Sequence, residues 1–518
     1  MQRREHGEHA EAVASGGREG SGAGQDVVVV GAGVAGTSVF LHLVRALSRA
    51  GAGAPLRVRS VHLLDPHPVG WGLAFGDRDP LLLCNSAAEV NSLLAEEPAD
   101  FVHHLREHGW TGEPRECVPR SRMAEYCQDR YAQARKEATA LGVEVRHVRA
   151  RAEEIGTEPG GRRRVRLSTG AELVADAVVV CTGVHRPRVP DGFVGLTGHP
   201  RYLDSPYPAG RLRRELTPGS RVLVLGTRQS AVDAALVLCR DGHRAVMTSP
   251  SGLLPSVRVS LGAPARDFPP LDRIARLDPD DPLLADKIQR CTVEAVRLLS
   301  RRPLRRQTSA APDPVQRLRE ETALVDAGVG VWPGVVVAVL EAVIALSATL
   351  PAPRREALME RFAWFVSRYA TAMTVVNARR LLTHVATGAL RLAHPYPVAV
   401  AFEDGAWQVR WRGAESEPER FDHVVNGTGF HPPVLHRSRD GATLYLTGPQ
   451  GDAGVVDHLE ADLRVRRGPG APPERVWVAG VGTHVRIPFA NHLRNVVRQA
   501  RQVAEDVVRV RPEAVRGA

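Results

Sequence analysis

The chain has 518 residues, 43% of them hydrophobic, and a formal net charge of +10. That length exceeds one core and predicts two to four domains, and the apolar content is that of a globular protein. Only two of the 68 basic residues are lysines, Lys136 and Lys287, and the arginines form no run longer than those at 162–166 and 301–306; a nucleic-acid-binding face needs denser clustering and is excluded.

Residues 1–24 are charged and rich in Gly, Ser and Ala, without an apolar segment. They read as a disordered tail and not as a signal peptide. Residues 26–30, Asp-Val-Val-Val-Val, have the unbroken apolar pattern of a central parallel strand. A glycine loop and a helical pattern over 38–50 follow, then a strand at 58–64. Helices are expected at 100–107 and 122–141, and polar strand-like pieces lead to a buried strand at 177–181. A second strand–glycine–helix unit begins near 221, with a strand at 222–225, a loop from Gly226, a helix to about 241 and a strand at 244–248. Helical periodicity dominates from about 282 to 392. The apolar stretch 334–350 contains Glu341 and is short for a membrane span, so a buried helix is expected. Strand signals return at 398–402, 407–411 and 423–426. The chain closes with a strand at 476–479, a glycine loop and a helix over 491–510.

This order predicts an α/β fold of two interleaved Rossmann-like dinucleotide-binding domains with a helical insertion. The first domain takes 25–200 and 401–518, the second 201–281, and the insert 282–400. No membrane or nucleic-acid partner is expected, and the oligomeric state is left open. The six cysteines, Cys84, Cys117, Cys127, Cys181, Cys239 and Cys291, form no C-x-x-C pair and no zinc spacing. They read as free thiols of a cytoplasmic protein, with no metal site, and they argue against a flavin disulfide reductase.

Three motifs carry chemistry. Gly31-Ala-Gly33-Val-Ala-Gly36 lies between strand and helix, where glycines allow the backbone to approach a pyrophosphate at the helix N-terminus. Asp65 ends the second strand and can accept from a ribose diol; an inserted loop at 51–55 explains its distance from the glycines. The second motif, Gly226-Thr-Arg-Gln-Ser-Ala231, has Arg228 at the middle glycine position and Ser230 in the opening turn of its helix. Arg228 can grip phosphate. The strand after it ends in Met247-Thr-Ser249 without a carboxylate, and Arg258 is near in sequence. Lack of an acid there favours NADPH over NADH. The third signal is a pair of strand-ending turns, Cys181-Thr182-Gly183 and Gly427-Thr428-Gly429, on either side of the second glycine motif. Small residues there let the chain cross between domains beside a cofactor.

These segments resemble the bacterial FAD/NAD(P)-binding oxidoreductases that include flavin-dependent amino-acid N-monooxygenases, the nitrosuccinate-forming aspartate N-monooxygenase type among them. The likeness covers roughly 25–510. It also rests on 69–75 (Val-Gly-Trp-Gly-Leu-Ala-Phe) with Leu-Leu-Leu-Cys-Asn at 81–85, on 100–105, on Val118-Pro-Arg120 through Tyr126, on Asp241-Gly-His243 with 252–255, and on Asn377-Ala-Arg379. The resemblance implies that Gly31, Gly33, Gly36 and Asp65 hold the adenosine half of FAD and that Asn85 lies near the flavin. It places Thr182, Gly183 and Gly429 at the domain junction, and runs Gly480 to Asn491 against the isoalloxazine. NADPH then falls to Gly226, Arg228, Ser230, Ser249 and Arg258.

The implied activity is a monooxygenase that spends NADPH and molecular oxygen to oxidise the amine of a small amino acid in specialised metabolism. The reaction belongs to the cofactor, which agrees with the absence of an acid–base triad; no catalytic residue is assigned. Arg368, Tyr369, Asn377, Arg379 and Arg380 in the insert are candidate substrate groups. Arginine suits a carboxylate anchor, and spacings of eleven and twelve residues put Arg368 and Arg379–Arg380 on one face if the helix is continuous. The alternatives are a flavin oxidase or NADPH dehydrogenase without substrate oxygenation, and a non-catalytic nucleotide-binding protein.

Overall fold

The structure is a computed structural model that describes residues 24–49, 58–264, 266–393, 396–413, 417–468 and 470–509. Residues 1–23 of the expected tail and the expected loop at 51–55 lie outside the described residues.

The all-valine run becomes the strand Gln25–Val30, and its two faces bury in different places. Val27 and Val29 point into a core shared with the helices Val34–Arg49, Ser121–Ala140 and Leu493–Arg509. Val28 and Val30 point into a second core beneath an antiparallel sheet that includes Ala152–Thr157 and Arg163–Leu167. A strand covered on both faces needs no polar alternation. The sheet around it runs Arg464–Arg466, Pro473–Val478, Ala177–Val180, Gln25–Val30, Val58–Leu64, Glu144–Val148, parallel except at its first pair.

The second unit repeats this plan. Its five strands run Leu390–Ala393, Arg244–Thr248, Arg221–Leu225, His423–Asn426, Tyr202–Leu203, all parallel. Val222 and Val224 pack under the helices Gln229–Arg240 and Val375–Ala386, while Leu223 and Leu225 meet a three-stranded antiparallel sheet through Trp407, Val409 and Phe421. Two placements differ from the sequence reading. The strand His423–Asn426, expected with the first unit, hydrogen-bonds to Arg221–Leu225, and the strand Leu390–Ala393 lies in the span expected to be insert. The latter is a four-residue edge strand directly after a helix, too short to interrupt the helical pattern.

In sequence, between the second unit's strands Arg244–Thr248 and Leu390–Ala393, come the helices Leu284–Leu299, Pro314–Asp326, Pro333–Ser347 and Ala352–Arg361. The apolar stretch at 334–350 is largely the buried helix Pro333–Ser347, and among the described residues no helix is long and apolar enough to cross a membrane. The helix expected across 368–380 is broken. Residues Val366–Ala370 form a π-turn, Met373–Thr374 pairs with Val257–Arg258, and a new helix starts at Val375, capped by the Thr374 hydroxyl accepting from the Asn377 N–H at 3.3 Å.

Candidate functional site

The two glycine turns are built alike. In the first, the Gly31 N–H donates to Leu64 O at 2.7 Å, and the Cys181 N–H donates to Val30 O at 2.7 Å. In the second, the Gly226 N–H donates to Thr248 O at 2.7 Å, and the Gly427 N–H donates to Leu225 O at 2.8 Å. Gly31 and Gly226 have φ of 95° and 105°, a conformation that side chains oppose. A Cβ would meet Cys181 O at 2.7 Å in the first turn and Gly427 O at 2.7 Å in the second. Each strand-ending turn noted in the sequence therefore lies against one glycine turn.

The two turns also mark the crossing between units. Residues 186–188 run antiparallel to 429–431. The Arg188 N–H donates to Gly429 O at 2.9 Å, the His431 N–H to Arg186 O at 2.8 Å, and the Thr428 hydroxyl to Arg188 O at 2.7 Å. Thr182 is half-buried next to this crossing and Gly183 is exposed.

The first turn fits the pyrophosphate of FAD. A Cβ at Gly36 would meet Gly31 O at 1.8 Å, whereas one at Gly33 has nothing within 4 Å. Gly36 is demanded by the protein's own packing; Gly33 opens onto free space at the start of the helix Val34–Arg49. Asp65 sits against the turn, accepting from the Ala32 N–H at 2.9 Å and from the His67 N–H at 2.9 Å. The segment of the 69–75 likeness is tied to the same turn through Gly70 N–H and Ala32 O, 2.8 Å. Gly480 returns to it as well: its Cβ would meet the Ala35 Cβ at 2.9 Å, and its N–H donates to Gln499 at 2.8 Å.

Among the described residues, one buried polar atom after the 69–75 segment and three around the start of the last helix have no hydrogen-bond partner. They are Asn85 Oδ1, His492 Nδ1, Asn495 Nδ2 and Gln499 Nε2. Unpaired buried polar groups are costly. Donors and acceptors of these kinds are what the carbonyls and N–H of an isoalloxazine pyrimidine edge would pair with. Burial, then the charges of Arg494, Arg498 and Arg258, push the His492 ring down to about 4, so it is neutral near pH 7. The helix expected from Asn491 begins at Leu493, leaving Asn491 exposed two residues before it.

In the second turn Ser249 occupies the place that Asp65 holds in the first, one residue after the carbonyl that caps the glycine. The Thr227 hydroxyl donates to Leu253 O at 2.7 Å and lies 3.0 Å from the Ser249 hydroxyl. Arg228 is exposed at the N-cap of Gln229–Arg240, and Ser230 is half-buried in the first helical turn. Arg258 does not serve here. It is fully buried and donates to Tyr369 O, Ala370 O and Asn85 O at 3.1–3.2 Å. Burial lowers its pKa to about 10. It ties Asn85 to the broken helix and is not available to a 2′-phosphate.

The expected substrate groups are not brought together. Arg368 is buried and bonded to Glu321 (2.5 Å) and Ser309 O (3.0 Å). Tyr369 packs edge-on against Trp332, and Arg379 is exposed and paired with Asp326. Asn377 is buried in the first turn of its helix, where its Oδ1 accepts from Arg380 at 3.4 Å. The reason is the π-turn and strand that interrupt the helix.

Sequence reasoning missed a buried polar cluster joining the units. Arg120 pairs with Asp233 at 2.7 Å and donates to the Tyr207 hydroxyl at 3.1 Å, and that hydroxyl donates to Asp233 at 2.5 Å. Burial works against the charge on Arg120, but Asp233 and Tyr207 outweigh it and hold the guanidinium protonated. Beside them Asp79 takes Arg240 at 2.7 Å, and also Arg213. The signal was one aspartate inside the apolar run Ala231-Val-Asp-Ala-Ala-Leu236.

The insert docks on the C-terminal segment. Glu341 bridges Arg494 (3.1 Å) and Arg498 (3.3 Å), and Arg355 donates to Val485 O at 2.8 Å. Phe489 packs into both apolar clusters of the insert.

Residues 28–185 match the family model described as FAD-NAD(P)-binding. No curated protein matches the sequence. Among solved structures the chain is similar to ornithine hydroxylase from Pseudomonas aeruginosa, at a TM-score of 0.54 and 16% identity over 94% of this chain and 99% of that one. It is also similar to L-lysine 6-monooxygenase from Pseudomonas syringae, at 0.52 and 16% over 94% and 99%. The chain has an FAD/NAD(P)-binding flavoprotein fold. The likeness extends over nearly the whole of both structures, insert included.

Proposed function

We propose that the protein is an FAD-dependent, NADPH-consuming monooxygenase that oxidises the amine of a small amino acid in the cytoplasm. The observation that carries this reading is the position of the helical insert. It is docked by Glu341, Arg355 and Phe489 on the segment that leads from the Gly480 turn into the last helix, the segment that carries the unpartnered atoms of His492, Asn495 and Gln499. A cover at that place excludes water from the flavin edge and leaves room to hold a substrate. A bound FAD supplies hydride acceptance and oxygen activation. The chain's own residues do the rest: Gly33 and the helix N-terminus at Val34 accommodate the pyrophosphate, Asp65 accepts from the ribose, and Ser249 with Arg228 receives NADPH. The full-length likeness to an ornithine hydroxylase and a lysine 6-monooxygenase supports an amino-acid amine as the oxygenated group.

Arg368 pairs with Glu321 and Arg379 with Asp326, so no carboxylate anchor is assigned and the substrate has to be found by assay. Purified protein is given NADPH, oxygen and a panel of amino acids, and products are read by mass spectrometry. An N-oxygenated amino acid formed in step with NADPH loss is the expected result. If every amine returns unchanged while hydrogen peroxide accounts for all the NADPH, the protein is an oxidase.

A further inference from the structure

Apart from the nucleotide sites, the helix Asp100–Glu107, its C-cap His108 and the helix Ser121–Ala140 bring two imidazoles and a carboxylate together. The side-chain donor atoms of His104, His108 and Asp129 all lie within 4.8 Å of one another. His104 Nε2 is 2.8 Å from Asp129 Oδ2, and His108 Nε2 is 3.3 Å from the same oxygen. The spacing of four residues stacks the two rings, with centroids 4.2 Å apart.

The protons of the two rings decide what this cluster can do. His108 Nδ1 lies 2.8 Å from His104 O. A carbonyl only accepts, so Nδ1 carries the hydrogen, and in the neutral ring Nε2 presents a bare lone pair. That lone pair faces a carboxylate oxygen 3.3 Å away. Two lone pairs at such a distance repel unless a proton or a metal ion lies between them. Fixing the ring through Nδ1 and a backbone carbonyl is also how metal-binding histidines are oriented. His104 is buried, with Nδ1 unpartnered. Its proton can shift from Nε2 to Nδ1 without breaking a hydrogen bond at Nδ1, which frees Nε2 as a second ligand.

We propose that His104 Nε2, His108 Nε2 and Asp129 Oδ2 form a three-ligand site for a divalent transition metal of the zinc class. Ligand atoms of a tetrahedral zinc site with bonds of about 2.0–2.1 Å stand roughly 3.3 Å apart, and two of the three separations here are 2.8 and 3.3 Å. Solvent takes the fourth position, since His108 and Asp129 are about half exposed, at 46% and 51%. A nitrogen-rich set with one carboxylate favours zinc or copper(II) over magnesium or calcium. No short ligand motif along the chain announces it, because the third ligand is on the next helix.

The test is equilibrium dialysis of the FAD-loaded full-length protein against zinc, for wild type, His108→Ala and Asp129→Asn. Loss of one zinc equivalent, or a weakening of at least about tenfold in both variants, is expected, with flavin content and circular dichroism unchanged. Equal zinc binding by wild type and both variants overturns the proposal. Copper(II) electron paramagnetic resonance of the wild type gives an answer that does not depend on how the variants fold. Hyperfine coupling to two imidazole nitrogens at one equivalent is expected, and a spectrum lacking it rejects the site.

Discussion

Gly33 and Gly36 show how two glycines of one motif can have different reasons. Gly36 is forbidden a side chain by Gly31 O, whereas Gly33 has nothing within 4 Å. Gly33→Val should therefore fold, with the thermal midpoint of the wild-type apoprotein, and be purified colourless, because the branched side chain fills only the space a pyrophosphate would use. Retention of stoichiometric FAD contradicts that assignment. Ser249 is the matching single-residue lever in the second unit. Ser249→Asp puts a carboxylate where Asp65 stands in the first, which should favour the ribose diol of NADH and repel a 2′-phosphate. Charged hydrogen bonds are worth about 1.5–3 kcal/mol, so the ratio of NADPH to NADH flavin-reduction rates should fall by roughly ten- to a hundredfold. An unmoved ratio places nucleotide discrimination elsewhere. Residues of this kind were legible because glycine turns impose backbone demands that local sequence must satisfy. Arg258 was not. Nothing in its neighbours shows that it is buried against three carbonyls contributed by 85, 369 and 370.

Strands and helices with strong local signals came out nearly as read: Val58–Leu64, Asp100–Glu107 and Arg244–Thr248 have the expected bounds. The break at 366–374 was hidden because Arg368, Tyr369 and Asn377 fit a helical period, while the π-turn and the pairing of Met373–Thr374 with Val257–Arg258 depend on a partner more than a hundred residues away. The contact between units was equally hidden, since Arg120 and Asp233 meet only in three dimensions. Asp233→Ala leaves Arg120 charged and buried, and removing one partner of such a pair costs about 3–5 kcal/mol. Urea denaturation of the holoprotein should show a loss of that order. Asp233→Asn, which keeps an acceptor, should cost less. A change no larger than a surface substitution gives would mean that the cluster is solvated.

At the scale of the whole chain, the same device is used twice. A parallel sheet is covered on one face by helices and on the other by antiparallel strands, and its first glycine turn is closed by a strand-ending turn contributed much later in sequence. Interleaving follows from that closure: Cys181 completes the first turn before the second unit starts, and Gly427 completes the second before the chain returns to Pro473–Val478. The helical insert docks on the segment that leads into the last helix. The central claim is that one chain holds both an electron-accepting flavin and the dinucleotide that reduces it. Anaerobic mixing of the purified holoprotein with NADPH tests this most directly, read at the flavin absorbance. The account predicts one FAD per chain, bleached by NADPH faster than by NADH; a bound flavin that stays oxidised under excess NADPH would contradict it.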